Sequence, residues 1–110
     1  MGAACRIVGG FVALVWCVAA PGPGAALAPG TPDRLETLLL HDCGACHGGS
    51  LKGGLGRPLL PAALTGRTEE TLATIILDGI PGTPMPPWRA LLTPADAAWL
   101  ARRLLKGSTP

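Results

Sequence analysis

Hydrophobic positions along this chain fall into two rhythms. The first is an unbroken apolar run, "IVGGFVALVWCVAA" at residues 7–20, with Arg6 as the single charge before Asp33. It falls short of the roughly 20 residues a membrane span needs, and Pro21, Gly22, Pro23 and Gly24 cut it off. Beyond it, apolar residues recur at helical spacing in three stretches, with no strand-like alternation and no internal repeat. The first stretch opens at "TPDRLETLLL", where Thr31 caps and Pro32 takes the first helical position. Leu35, Leu38, Leu39, Cys43 and Cys46 then fall on one face. The second starts at Thr68, carries Glu69 and Glu70 at its positive end, buries Leu72, Ile75 and Ile76, and stops at Gly79. The third runs from the cap Thr93 and Pro94 to Gly107, with Ala97, Leu100, Ala101 and Leu104 as its apolar arc, Arg103 off that arc, and Trp99 left without a packing partner by the pattern. A glycine- and proline-rich loop, "GGSLKGGLGRPLLPAAL", joins the first two. The pattern predicts a small all-α domain.

The opening run has the length and flanks of a secretory leader, and "GAALA" ending at Ala28 offers a small-residue cleavage site. Residues 1–28 are therefore expected to be a signal peptide with an approximate cut, and residues 29–110 a single exported domain. Losing the leader removes Cys5, Cys17, Met1, Phe11 and Trp16. What remains is 82 residues with Cys43 and Cys46 as the cysteines, Met85 as the methionine, and Trp88 and Trp99 as the aromatics. A chain of that size stabilises weakly on its core alone and usually carries a staple. Eight basic and seven acidic residues remain, with no basic patch for nucleic acid and no charge run.

"DCGACHGG", residues 42–49, supplies the candidate staple. A disulfide between Cys43 and Cys46 would close a very small loop and restrain the unfolded chain little. A redox dithiol of the thioredoxin kind needs a preceding strand, and none is present. A structural zinc site wants four ligands, whereas the thiols and imidazoles here are Cys43, Cys46, His41 and His47, three of them crowded together. The spacing C-x-x-C-H is instead that of covalent haem attachment, with both thiols bonded to the haem and His47 reaching the iron. For the opposite axial position the candidate is Met85, held in the proline-braced loop "PGTPMPPW". His41, six residues before His47 in the same helix, is too near in sequence to reach the other face.

Over residues 41–105 the chain resembles the class I cytochromes c, and "DCGACHGGSLKGGLGRPLLPAAL" with "ILDGIPGTPMPPWRALLT" is similar to the small NirC-type cytochromes of denitrification nitrite reductase clusters. The resemblance implies a periplasmic electron-transfer protein rather than an enzyme. Its fold would be short helices around one covalently bound haem c, attached at Cys43 and Cys46 with His47 and Met85 as axial iron ligands. It further implies that a proline carbonyl accepts the proximal histidine N–H, with Pro58 in "GRPL" as the matching residue. The implied partner is a redox protein, cytochrome cd nitrite reductase, which the chain serves either as electron donor or in haem d maturation. Trp88 is a candidate donor to a haem propionate or, equally, a packed hydrophobe beside the Met85 loop. An apolar shell is expected from Leu51, Leu55, Leu59, Leu60, Leu64, Ile75 and Ile76, and a mild positive rim from Lys52, Arg57 and Arg89. The competing class is a five-coordinate haem sensor or enzyme, which would want a labile Met85 and a polar distal side chain.

Overall fold

The computed structural model describes residues 28–107. The expected leader lies outside them except for Ala28. Among the described residues there are helices, turns and loops but no strand, in agreement with the helical spacing of the apolar positions.

Helix α1, Pro32–Leu38, starts where the cap signal places it: the Thr31 hydroxyl accepts from the Arg34 amide at 3.4 Å, and Asp33 sits in the first turn. The chain does not leave the helix after Leu38. It widens into a π-turn, Leu39–Cys43, in which the Gly44 amide donates to the Leu39 carbonyl five residues back, and then tightens into a short helix α2, Gly44–His47. The stretch expected as one regular helix is thus continuous but holds one extra residue in a single turn. A 3-10 turn covers Pro61–Leu64. Helix α3, Glu69–Asp78, is capped by Thr68, whose hydroxyl accepts from the Thr71 amide at 3.1 Å. It buries Leu72, Ile76 and Leu77, so Leu77 takes the place expected for Ile75, which is half-buried.

Helix α4, Pro94–Lys106, buries the four residues of its expected arc: Ala97, Leu100, Ala101 and Leu104. It is the centre of the packing, with α3 along one side and α1 and the 3-10 turn against it elsewhere. Leu35, Leu38, Leu39, Leu51, Leu64 and Leu92 complete the core, while Trp88 and Trp99 are half-buried at its edge. Trp99, which the helical pattern left unplaced, therefore packs on the rim of the same cluster. Arg103 lies off the arc and is not a free surface charge. It reaches Glu36 of α1 through two bonds of 2.9 and 2.6 Å and donates to the Gly107 carbonyl at 2.8 Å, tying the first and last helices together. Among the described residues no helix is long and apolar enough to cross a membrane.

Asp96 is the buried charged side chain among the described residues, 2% exposed. Its carboxylate closes the capping box of α4 by accepting from the Thr93 amide at 2.9 Å, and its other oxygen accepts from the Gly30 amide at 2.7 Å. Burial, the largest single influence, pushes this carboxyl up, but the Thr93 and Gly30 amides, the Thr93 hydroxyl and the Arg34 charge together outweigh it and leave it below the usual carboxylate value. A lowered carboxylate contributes stability that is present above its unfolded pKa and lost as the pH falls through the folded one. Asp96→Ala is expected to lower stability by about 2 kcal/mol, because two amides lose their acceptor. It should also flatten the acid limb of a thermal-denaturation series run from neutral pH down to about pH 3.

Candidate functional site

The three candidate residues of the motif lie on the π-turn and α2, and the structure gives each a different setting. Cys43 is half-buried and packs against the core, whereas Cys46 is exposed. Both are free thiols. The expected single face carrying both cysteines is therefore not what forms, because the extra residue of the π-turn shifts the register after Leu39. Burial pushes the Cys43 thiol up to about 11, with the Asp42 carboxylate adding to it. A redox-active dithiol has the opposite character, a thiol lowered toward thiolate. Among the described residues no group of three or more His, Cys, Asp or Glu side chains gathers as a metal site, so the zinc reading finds no ligand set there.

His47 is half-buried at the C-terminal end of α2, and its Nδ1 lies 2.6 Å from the Arg57 carbonyl oxygen. A carbonyl only accepts, so Nδ1 is the donor of this bond, and in the neutral tautomer that makes this bond the lone pair lies on Nε2. The resemblance placed this acceptor at Pro58, and the structure puts it one residue earlier. The reason is local. A residue before proline is biased toward extended backbone, which narrows the orientations open to the Arg57–Pro58 peptide, and the loop bonds closing over α2 set the one observed.

The glycine-rich loop after the motif is what holds this arrangement. The last carbonyls of α2 have no partner inside the helix, and the loop supplies them: the Gly56 amide donates to the Cys46 carbonyl at 2.7 Å and the Gly53 amide to the His47 carbonyl at 2.8 Å. Leu51, in the left-handed region at φ 60, is held there by its burial and by bonds at both ends, donating to Gly48 at 2.8 Å and accepting from Leu59 at 2.9 Å. Gly48 leaves the helix at φ 87, where a side chain would run into the Gly53 carbonyl. Gly56 is a site residue that the spacing argument missed. A Cβ there would stand 2.8 Å from both Nδ1 and Cε1 of His47, so the backbone reaches the imidazole because no side chain intervenes. "GLGRP" after C-x-x-C-H was the available signal. Gly56→Ala should displace the ring or the loop, loosen the His47–Arg57 bond, and lower thermal stability by roughly 1–3 kcal/mol. A melting curve of the intact protein checks it.

Met85 lies on the loop between α3 and α4, half-buried. Its carbonyl accepts from the Ile80 amide at 3.2 Å, its amide donates to the Thr83 hydroxyl at 3.3 Å, and that hydroxyl donates to the Ile80 carbonyl at 2.7 Å. The loop is thus a closed turn with Met85 at its return. Trp88 anchors it: its amide reaches the Ile76 and Leu77 carbonyls, both at 3.1 Å, and its carbonyl accepts from Leu91 and Leu92. Its half-buried side chain packs against the core. His41 is exposed on the π-turn.

Of the expected apolar shell, Leu51, Leu64 and Ile76 are in the core and Leu59 and Leu60 pack against it. Leu55 does not: it is 82% exposed, in the very loop that holds His47. Ile80, at the base of the Met85 turn, is 44% exposed. Lys52, Arg57 and Arg89 are all exposed, and Arg89 is paired with Asp78 at 2.5 Å. The donor set suits a haem. It offers two free thiols at the attachment spacing, an imidazole whose Nδ1 is taken by the Arg57 carbonyl so that Nε2 is the ring nitrogen open to a ligand, and a thioether on a hydrogen-bonded turn, with apolar side chains open on both ligand-bearing loops.

The sequence and fold have clear relatives. A family model described as cytochrome C oxidase, cbb3-type, subunit III matches residues 30–102. Cytochrome c55X of Paracoccus denitrificans is 57% identical over 77 residues, which cover 70% of this chain and 75% of that one. Cytochrome c55X of Pseudomonas aeruginosa is 49% identical over 102 residues, covering 88% and 84%. Among solved structures, the c-type cytochrome NirC superposes with a TM-score of 0.66 at 53% identity, over 67% of this chain and 87% of that one. A dihydro-heme d1 dehydrogenase, NirN, gives a TM-score of 0.63 at 33% identity over 68% of this chain and 16% of its own. With a family model matched across its helical domain and relatives near half identical along most of their length, the chain belongs to the c-type cytochromes, the family of haem-bearing electron carriers.

Proposed function

We propose that this chain is an exported single-haem electron carrier that donates electrons to cytochrome cd nitrite reductase. The observation that carries the reading is the 2.6 Å contact between His47 Nδ1 and the Arg57 carbonyl, which leaves Nε2 as the ring nitrogen available to a metal, on the same short segment as two free thiols at C-x-x-C spacing. Haem supplies a one-electron Fe(III)/Fe(II) couple when bound. In this reading Cys43 and Cys46 would hold one haem and His47 and Met85 would ligate its iron, with the Arg57 carbonyl fixing the orientation of the imidazole. A thioether ligand favours the reduced iron and raises the potential. With His47 and Met85 both ligating, a bound haem would offer no open position to a substrate, and the chain would pass single electrons only. The Trp88 indole N–H is proposed to meet a propionate. Residues 1–28 are proposed to direct export to the periplasm and to be removed there.

Eight basic groups against seven acidic in residues 29–110, with Arg89 paired to Asp78, Arg102 to Glu69 and Arg103 to Glu36, leave little field for long-range steering. Transfer to nitrite reductase is therefore expected to be fast and only weakly sensitive to salt between roughly 0.05 and 0.2 M. Stopped-flow mixing of the reduced protein with oxidised nitrite reductase measures it. A second reading, electron transfer in haem d maturation, draws support from the 33% identity to NirN, whose description is a dihydro-heme d1 dehydrogenase. It would be favoured by absent transfer together with nitrite reductase lacking haem d in a strain deleted for this protein. Absent transfer with haem d intact would sink both.

A further inference from the structure

The π-turn is the unusual element of this fold, and the pattern of burial after it has a specific cause. Counting about 100° per residue from Leu35, an unbroken α-helix would carry Asp42 and Cys46 within about 20° of that leucine, Cys43 near 80° and His47 near 120°. Asp42 and Cys46 would then extend the buried stripe of Leu35, Leu38 and Leu39. The structure does the reverse: Asp42 and Cys46 are exposed, while Cys43 and His47 are half-buried. One extra residue in the turn accounts for this, because each later residue takes the angular place of its predecessor. Cys43 and His47 then come within about 20° of Leu35 on the other count. The bond that defines the turn, Gly44 amide to Leu39 carbonyl, spans the residues concerned.

We propose that the π-turn Leu39–Cys43 is the positioning element of the haem site, a one-residue insertion that aims Cys43 and His47 at the core side of the fold and turns Cys46 outward. This rests on the haem reading above. The spacing of Cys43, Cys46 and His47 is set within their own helical turn, but the direction in which that turn faces is set by the residue count upstream of it. Without the extra residue, helix α1 could keep its leucines in the core, or the motif could face its loop, but not both. His41 and Leu40 are exposed on the turn, so what the turn needs from them is their presence in the chain and not their side chains.

The test is a length series made in the full chain and matured with haem. His41→Ala and Leu40→Gln keep the residue count and are expected to match the parent in attached haem, in the visible spectrum of the reduced form, and in exclusion of carbon monoxide. Deleting His41 is expected to cut attached haem at least tenfold, or to leave a form whose reduced spectrum is altered and which binds carbon monoxide. Deleting His41 while inserting one alanine between Thr37 and Leu38 restores the count one turn earlier and should bring back both haem and spectrum. If the single deletion does not yield folded protein, the compensated chain decides: recovery supports the register role, and no recovery overturns it. A single deletion with unchanged haem, spectrum and ligand exclusion also overturns it. A parent protein that itself holds no covalent haem would instead defeat the haem reading on which the proposal stands.

Discussion

Replacing both Cys43 and Cys46 by alanine is expected to give a chain that carries no haem and does not fold. The core of the described domain is built from leucines, one isoleucine and alanines, with both tryptophans only half-buried at its edge. A domain of this size buries too small a fraction of its surface to stand far above the unfolded state, where stability is a small difference between large terms. A covalent apolar group shared by two helix positions would supply the missing buried surface. The single replacements should not be equivalent. Cys43 packs against the core, so Cys43→Ser sets a hydroxyl against apolar neighbours and adds about 1 kcal/mol of destabilisation to the loss of one attachment. Cys46 is exposed, and Cys46→Ser loses the attachment alone. Extraction of denatured protein into acidified organic solvent measures attachment: colour should stay with the parent polypeptide, remain in lower yield with either single variant, and be absent from the double. Free haem in the solvent from the parent protein would refute covalent attachment.

Met85→Ala is expected to lower the reduction potential by on the order of 0.1 V or more, within the roughly 0.8 V that axial ligands span, and to open the iron to carbon monoxide or cyanide. The loop argues for a large effect. Its turn is closed by the Ile80–Met85 bond and by the Thr83 hydroxyl, and its far end is anchored by Trp88 to the end of α3, so a neighbouring side chain cannot swing in to replace the sulfur. His41→Ala should change neither property, since His41 is exposed on the π-turn six residues before His47. Met85→His separates the two consequences: the potential should fall while the site stays closed. Redox titration and carbon monoxide difference spectra read both. A parent protein that binds carbon monoxide readily when reduced would favour the five-coordinate sensor or enzyme over the carrier.

Much of this molecule can be read from its sequence because the signals are local. Helix starts at Thr31, Thr68 and Thr93 follow from a hydroxyl within reach of an amide three residues on, and the stops at Gly79 and Gly107 from a backbone that needs positive φ. The arc of α4 is a matter of spacing, and C-x-x-C-H brings two thiols and an imidazole together within one turn whatever the rest of the chain does. Tertiary structure decided what depends on groups distant in sequence or on a departure from regular spacing. The direction of the motif turns on a π-turn that ordinary helical counting cannot register, since it assumes a constant rotation per residue. The acceptor for His47 is Arg57, not Pro58, because which carbonyl reaches the ring depends on how the loop closes over α2, with Gly56 admitting the backbone. Asp96 joined to Gly30, 66 residues away, and Arg103 joined to Glu36, 67 away, are likewise invisible to local patterns. A sequence states which groups each short segment presents, but a pairing between segments exists only once packing has brought them within bonding distance.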